Sequence, residues 1–426
     1  MFKIPSGCCS RQHTSPPIVF DLDFGALTRI AATLRRCHPD FARGCVLLVA
    51  DGNTWAAAGS RAEQALVQNG FTVKRHVFSQ LDCASMEDAQ LLARLAADVQ
   101  GILAVGTGTI NDLCRYASFL TGKPYAVAAT APSMDGFCSG VAPLVEHGFK
   151  RTYNAVLPRA VIGDAEVLDA SPMPLKAAGL GDLLGKYTCL ADWEISHLLT
   201  GEYYCPGIAG MVRQAVDDAV AGAPQIASGA PGAALLLMKA LCLSGVAMAL
   251  CGNSRPASGA EHHLSHFWEM RFLAQGRKQV FHGTKVGVAS VAVSGLYRRL
   301  AALGSVVPYR KAPPVLNEEF LAPAFGPLTA DVIKDNTPDP LAGFSFDALA
   351  QRWPQVQAIL SRLPAPERIA SLITLLGGPT SPDQLGIDPA LALEGLQFGR
   401  YVRPRLTLLR ITDCLDLPAA GIPLLP

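Results

Sequence analysis

Charge of one sign is missing from this sequence. Only 17% of its 426 residues are Asp, Glu, Lys or Arg, and the formal net charge is +1. Nothing in that balance points to nucleic acid or an anionic membrane surface, so any anionic ligand must be recognised by a local group. CxxC spacings are missing too. The 12 cysteines are scattered from Cys8 to Cys414, and Cys8-Cys9 is the one adjacent pair. This is neither a zinc-ribbon pattern nor a small disulfide framework. In so long and apolar a chain, free buried thiols and a reducing, cytoplasmic setting are expected. The stretch MFKIPSGCCSRQHTSPP lacks the continuous apolar core of a secretory signal. The most apolar run, residues 232–251, is nearly long enough to cross a bilayer. Lys239 interrupts it, and its small residues suit close helix packing, so a buried helix is expected and no stable membrane insertion.

Apolar bulk is present instead. Half of the residues are hydrophobic (50%), a core-rich composition with length for two or three domains. The first third alternates strand and helix signals. Short apolar runs at 45–50, 71–78, 101–105, 125–130 and 160–162 read as strands, with helical spacing at 61–68, 88–99 and 111–120. Such alternation indicates a parallel sheet covered by helices. Beyond residue 168 the texture turns helical, at 175–199, 207–220, 233–251, 286–303, 346–363, 366–376 and 400–415. The proline-rich stretch 306–343 reads as loops and short helices. The expectation is an α/β, Rossmann-like domain over residues 1–165 and an all-α domain over 166–426, with the site in the cleft between them.

Three segments suit a nucleotide. Gly106-Thr107-Gly108-Thr109-Ile110-Asn111-Asp112 follows a strand and opens a helix, where glycines and free N–H groups can cradle a pyrophosphate. The third glycine of the usual fingerprint is absent, and a turn without ligand competes. Asp51, at a strand end, can accept ribose hydroxyls or simply serve the Asp-Gly-Asn turn. The loop Thr130-Ala131-Pro132-Ser133-Met134-Asp135-Gly136 closes another strand, where ligands of parallel sheets sit; a plain proline turn competes.

The strongest signal is in histidine. Four of the nine histidines are His262, His263, His266 and His282. His262 and His266 are four apart and share a helix face. Imidazole is a common metal ligand, and two imidazoles with a carboxylate leave positions open for substrate. A surface or helix-capping histidine patch is the alternative. The candidate carboxylate is Asp182, in the apolar stretch AAGLGDLLGKY, where it needs a cation or hydrogen-bond partners; a capping role after Gly181 competes.

Together these stretches resemble the iron-containing alcohol dehydrogenase superfamily, which shares its fold with dehydroquinate synthases, and within it the sn-glycerol-1-phosphate dehydrogenase family. The resemblance is carried by GTGTINDLCRYASFLTGKPYAVAATAPSMDGFCS, LGDLLGKYTCLADWEISHLLTGEYYC, SGAEHHLSHFWEM and HGTKVGVAS. It runs from about Cys45 to RYVRPRLTLLR and leaves residues 1–40 and 306–343 unmatched. It implies a dehydroquinate synthase-like fold. It also implies reversible reduction of dihydroxyacetone phosphate to sn-glycerol 1-phosphate, with NAD or NADP and one divalent ion (zinc, nickel or iron). By the same resemblance Asp182, His262 and His282 match metal ligands, and Asp135, Asp182 and His266 match substrate contacts. Gly108, Thr109, Ile110, Asn111, Asp112, Thr130, Ala131, Pro132, Ser133, Ser139 and Asp51 match cofactor positions. His263 would exchange with His262 on a one-residue shift; the spacing to His266 favours His262. His266 is the candidate for proton transfer. Lys186, four residues after Asp182, is the first candidate for the substrate phosphate, with Lys150, Arg151 and Lys285 as alternatives; each also reads as a solvated or structural charge. A homodimer or larger homo-oligomer is implied. Competing functions are a glycerol or other alcohol dehydrogenase, a dehydroquinate synthase-like cyclase, and an inactive ligand-binding protein.

Overall fold

A strand buried on both faces needs apolar side chains at every position and helices above and below it. The computed structural model describes residues 4–79, 81–146 and 149–425, without the side chains of Arg43, Phe149 and Lys150. Its strands are β1 (Val19–Asp23), β2 (Cys45–Asp51), β3 (Thr72–Phe78), β4 (Gly101–Gly106), β5 (Tyr125–Ala129), β6 (Val141–Glu146), β7 (Phe149–Asn154) and β8 (Ala160–Asp164). Six form one parallel sheet in the order β1-β8-β5-β4-β2-β3. Alternate residues feed opposite faces. Leu47, Val49, Ile102 and Val127 join one apolar cluster, while Val46, Leu48, Leu103 and Ala126 join the other. The chain steps from β2 out to β3, then returns to the far side of β2 as β4. That reversal opens a crevice at the carboxyl ends of β2 and β4, the place where such sheets bind ligands.

The helices of this half are α1 (Ile30–Cys37), α2 (Gly52–Thr54), which runs through a π-helical turn into α3 (Ser60–Gln68), α4 (Met86–Leu95) and α5 (Gly108–Thr121). The expected turn at Asp51-Gly52-Asn53 is thus a helix start: Asp51 and Thr54 cap each other reciprocally. Strand β1 and the antiparallel β6–β7 hairpin were not foreseen. VFDLD is half polar because it sits at the sheet edge, and Pro143 disguises β6.

After β8 the elements are all helices: α6 (Ala165–Ala170), α7 (Met173–Thr200), α8 (Pro206–Ala227), α9 (Ala233–Cys251), α10 (Ala260–Ala274) and α11 (His282–Ala301). They are followed by α12 (Glu318–Phe325), α13 (Thr329–Asp335), α14 (Phe346–Leu360), α15 (Pro366–Leu375), α16 (Pro389–Phe398) and α17 (Leu408–Ile411). Helix α9 is apolar all round because it is sandwiched. Leu237 and Leu241 enter the helical core, while Leu235, Met238 and Cys242 pack under the sheet. It is the one described helix long and apolar enough to cross a membrane, and most of it is buried here. The continuous helix expected at 400–415 does not form. Pro404 lacks an N–H and drives Arg403 out of helical geometry. The chain makes a short 3-10 turn at Gly399–Tyr401 and restarts as α17, capped by Thr407. Asp413 pins the broken segment, taking Arg400 and Arg410 at 2.6 Å each.

Candidate metal and nucleotide site

Helix α5 begins at the switch crevice without a side-chain cap, so its first N–H groups are free to meet an anion. A Cβ on Gly106 would come within 2.8 Å of Ile110, so glycine is required for the tight entry. Gly108 is under no such demand; its nearest neighbour would be Met134 at 3.6 Å. Ile110 and Asn111 are buried, the Asn111 N–H is spent on the Thr107 carbonyl, and Asp112 accepts a 2.7 Å bond from Arg115, so the free donors are the backbone N–H groups of Gly108, Thr109 and Ile110. Thr109 sits in the first turn. Thr130 donates its N–H to Gly106, and the Ser133 and Thr107 hydroxyls are bonded together, which ties the loop Thr130, Ala131, Pro132, Ser133 to α5. Ser139 spends its hydroxyl on Val141. Asp51 stands at the end of β2 across the crevice, with one carboxylate oxygen taken by its capping bond from Thr54.

Backbone contact brings the rest together. A Cβ on Gly179 would lie 2.0 Å from the Pro132 carbonyl, and one on Gly283 would lie 2.0 Å from that of Ala178. These two glycines let α7 touch both the β5 loop and α11. Asp182, one turn from each contact, then reaches His262 from α10 and His282 at the start of α11. One donor atom from each of Asp182, His262 and His282 lies within 4.8 Å of the others. His262 Nε2 is 3.4 Å from Asp182 Oδ1. That matches the edge of a tetrahedron of nitrogen and oxygen ligands about 2.1 Å from a metal, roughly 3.4 Å. His262 Nδ1 bonds Glu261 at 2.7 Å, which fixes the ring and turns Nε2 toward Asp182.

The charge balance gives a second test of fit. Asp135 and Asp182 are buried on one shared ammonium, Lys186, with Glu261 buried against His262, so the carboxylates here outnumber the lysine that pairs them. A divalent ion supplies that deficit. Burial would raise the Asp182 carboxyl, but Lys186 and the two imidazoles hold it well below its usual range. Burial and Lys186 both oppose a proton on His262, yet Asp182 and Glu261 outweigh them and raise it. A proton or a metal answers the same demand.

Lys186 corrects one expectation. Its Nζ is fully buried and meets Asp182 Oδ1 at 2.8 Å, Asp135 Oδ2 at 2.8 Å and the Ala257 carbonyl at 3.0 Å. An ammonium has three donors. None is left for a phosphate, so Lys186 binds the two loops of the site together instead. Asp135 is likewise held from several sides, accepting from Ser244 and donating its own N–H to Asp182. Lys285 is buried 3.1 Å from Glu269, Arg151 is exposed and 3.5 Å from Asp331, and the Lys150 side chain lies outside the described residues.

His266 completes the imidazole face. Its ring centroid is 5.4 Å from that of His282 and 6.3 Å from that of His262. Its Nδ1 is 3.3 Å from Glu269, leaving Nε2 free. Burial lowers it to about 4 despite Glu269. His263 points elsewhere: it is buried, and neither ring nitrogen has a hydrogen-bond partner in the structure. Sequence reasoning passed over Glu261, Arg403 and Arg405. The broken 400–415 segment brings the two arginines in from the side. Arg405 donates to the Ser258 carbonyl and the Ser254 hydroxyl, and Arg403 to Thr152. Among the described residues neither has an ion-pair partner. Burial, with the Arg255 and Arg403 charges, pulls Arg405 down to about 10. The Arg403 charge reaches both His263 and His266, and the Arg405 charge reaches His263; the legible signal was RPR after RYV.

Residues 22–172 match the family model described as iron-containing alcohol dehydrogenase. The chain is 36% identical over 410 residues to the glycerol-1-phosphate dehydrogenase (NAD(P)+) of Geobacillus stearothermophilus, covering 95% of this chain and 94% of that protein. It is 34% identical over 373 residues to the protein of the same name from Bacillus subtilis, covering 86% and 85%. Among solved structures, a probable glycerol dehydrogenase from Sinorhizobium meliloti superimposes with a TM-score of 0.61 at 17% identity, over 96% of this chain and 98% of that one, a likeness of fold.

Proposed function

The chain belongs to the glycerol-1-phosphate dehydrogenases of the iron-containing alcohol dehydrogenase superfamily, and on that premise we propose how its residues reduce dihydroxyacetone phosphate reversibly to sn-glycerol 1-phosphate with NAD(P)H. The observation that carries the reading is the convergence of Asp182, His262 and His282 beside the nucleotide crevice, where one buried lysine is shared by two carboxylates.

Asp182, His262 and His282 would hold a divalent ion, which would supply Lewis-acid polarisation of the substrate carbonyl, and a nicotinamide cofactor bound at α5 would supply the hydride. The chain's own residues do the rest. Glu261 keeps His262 in the ligating orientation. The free N–H groups of α5 hold the cofactor pyrophosphate, with the loop Thr130–Ser133 beneath it. His266, steadied at Nδ1 by Glu269, offers Nε2 as the relay at the substrate oxygen, taking the alcohol proton in the oxidative direction and returning it in the reductive one. Arg405 and Arg403 take the substrate phosphate, the role that Lys186 has no donor left to fill. Two imidazoles and one carboxylate suit zinc, nickel or iron.

Initial rates with dihydroxyacetone phosphate, run with NADH and NADPH after metal stripping and re-addition, test the reading. Turnover that returns with a divalent metal and is absent with dihydroxyacetone is expected. Metal-independent turnover, or equal rates without the phosphate, would overturn it. In the same assay Arg405→Leu is expected to raise KM for the phosphorylated substrate by at least tenfold, about 1.4 kcal/mol, with kcat less affected. His266→Gln is expected to lower kcat by about 10²-fold or more.

A further inference from the structure

The region before β1 was an unmatched stretch in the sequence. In the structure it leaves the sheet and lies against the turn between α7 and α8. Four soft donors meet there. Cys8 Sγ is 3.3 Å from Cys205 Sγ, and His13 Nε2 is 3.3 Å from both Cys9 Sγ and Cys205 Sγ. The four atoms lie within 4.8 Å of one another. We propose that Cys8, Cys9, His13 and Cys205 form a second metal site, a closed structural Zn2+ centre with three thiolates and one imidazole.

Three features support it. The spacing is right: a tetrahedron with Zn–S near 2.3 Å and Zn–N near 2.05 Å has edges of roughly 3.5–3.8 Å, a few tenths longer than the contacts seen. The donors are chemically matched, because thiolate and imidazole select zinc over magnesium or calcium. Backbone and side-chain donors are also placed to steady thiolate charge. The Ile208 N–H points at Cys205 Sγ (3.4 Å), the Arg11 N–H at Cys9 Sγ (3.4 Å), and the Tyr203 hydroxyl lies 3.3 Å from Cys9 Sγ. Cys205 stands at the N-cap of α8, which holds its Sγ toward the free end of the helix.

The surroundings make the site rigid rather than catalytic. Four protein ligands leave no position for substrate. The thiols rest on an apolar cluster of Cys189, Trp193, Ile208 and Val212. Trp193 donates to the Tyr203 carbonyl at 2.7 Å, and the Arg11 guanidinium covers the Tyr203 ring at 3.6 Å. A Cβ on Gly207 would meet Cys8 Sγ at 2.6 Å, so the segment is seated directly on the first turn of α8. Zinc here would fasten the lead-in of β1, at the sheet edge, to the helical half at the α7–α8 turn.

Metal analysis and zinc-edge X-ray absorption of protein purified without chelator test the proposal. The expected result is a sulfur shell near 2.3 Å, about three sulfurs per zinc where this site alone holds zinc and about half that on average where zinc also fills the Asp182 site. One zinc equivalent should persist in His282→Ala protein and be lost in Cys9→Ser and Cys205→Ser, whose region before β1 should then become protease-sensitive. Because the wild-type spectrum alone reports sulfur ligation, misfolding of a variant does not blur the outcome. A spectrum free of sulfur, no zinc retained in His282→Ala protein, or peptide mapping that finds Cys8 joined to Cys205 as a disulfide would each overturn it. None of these readouts depends on the dehydrogenase activity.

Discussion

At the scale of single residues, the site is governed by how buried charges are compensated. Lys186 is the hinge of that balance, serving Asp135, Asp182 and the Ala257 carbonyl at once. Lys186→Met should therefore destabilise metal-free protein by about 3–5 kcal/mol, since it leaves buried carboxylates unpaired. Urea unfolding measures this, and adding Asp135→Asn should recover part of the loss. His263 shows the opposite case. Burial, with Arg405 and Arg403 adding to it, holds its pKa well below 6.5, so it is neutral when folded and protonates readily when unfolded. The unfolded state then binds more protons below about pH 6.5, and stability falls as pH drops through that window. The urea midpoint of wild type should fall more between pH 7.5 and 5.5 than that of His263→Leu; shared loss of metal cancels in the comparison. An equal fall would refute the assignment.

At the scale of elements, helix placement is set by glycines where backbones touch. Gly179 and Gly283 have no room for a Cβ, since each would meet a carbonyl oxygen at 2.0 Å. Gly179→Ala should push α7 off the Pro132 loop and cost more than the roughly 1–3 kcal/mol of ordinary overpacking. Activity should fall with it, because Asp182 moves with the helix. Gly210→Ala is the matched control. It lies inside α8, where an added Cβ would have nothing within 4 Å, so it should gain about 1 kcal/mol. Thermal melts of the two variants, shifted in opposite directions, would confirm the distinction. The stretches AAGLGDLLGKY and HGTKVGVAS showed Gly179 and Gly283, but not which partner each one faces.

At the scale of the whole molecule, the site joins the two halves of the chain. The β5 loop supplies Asp135, while α7, α10 and α11 supply Asp182, His262 and His282. Helix α9 packs under the sheet from the other half. A cofactor that binds the folded protein at about 100 times its Kd should add about 2.7 kcal/mol of stability. NADH or NADPH should thus raise the melting temperature. Gly106→Val, whose side chain would collide with Ile110, should abolish the shift while the protein remains folded by circular dichroism.

Much of this was legible in the sequence because it is local. Strands β2, β4, β5 and β8 announced themselves as apolar runs because they are buried on both faces, whereas β3 at the sheet edge carries Lys74, Arg75 and His76 and showed only through its apolar ends. The glycine-rich turn after β4 and the four-residue step from His262 to His266 are likewise properties of a few consecutive residues. The sequence by itself determined the α/β-then-helical order and the family resemblance, and its four-residue step to His266 favoured His262 over His263. Only the tertiary structure decided what depends on partners distant along the chain. It showed Lys186 with every donor engaged, His263 buried with neither ring nitrogen bonded, and the 400–415 segment broken at Pro404, with Arg405 bonded to Ser254 and Ser258 and Arg403 to Thr152. It also brought Cys205 to Cys8, Cys9 and His13. The physical reason is common to all of these: burial, saturation of hydrogen bonds and the balance of charge are properties of a packed neighbourhood, which residue spacing does not encode.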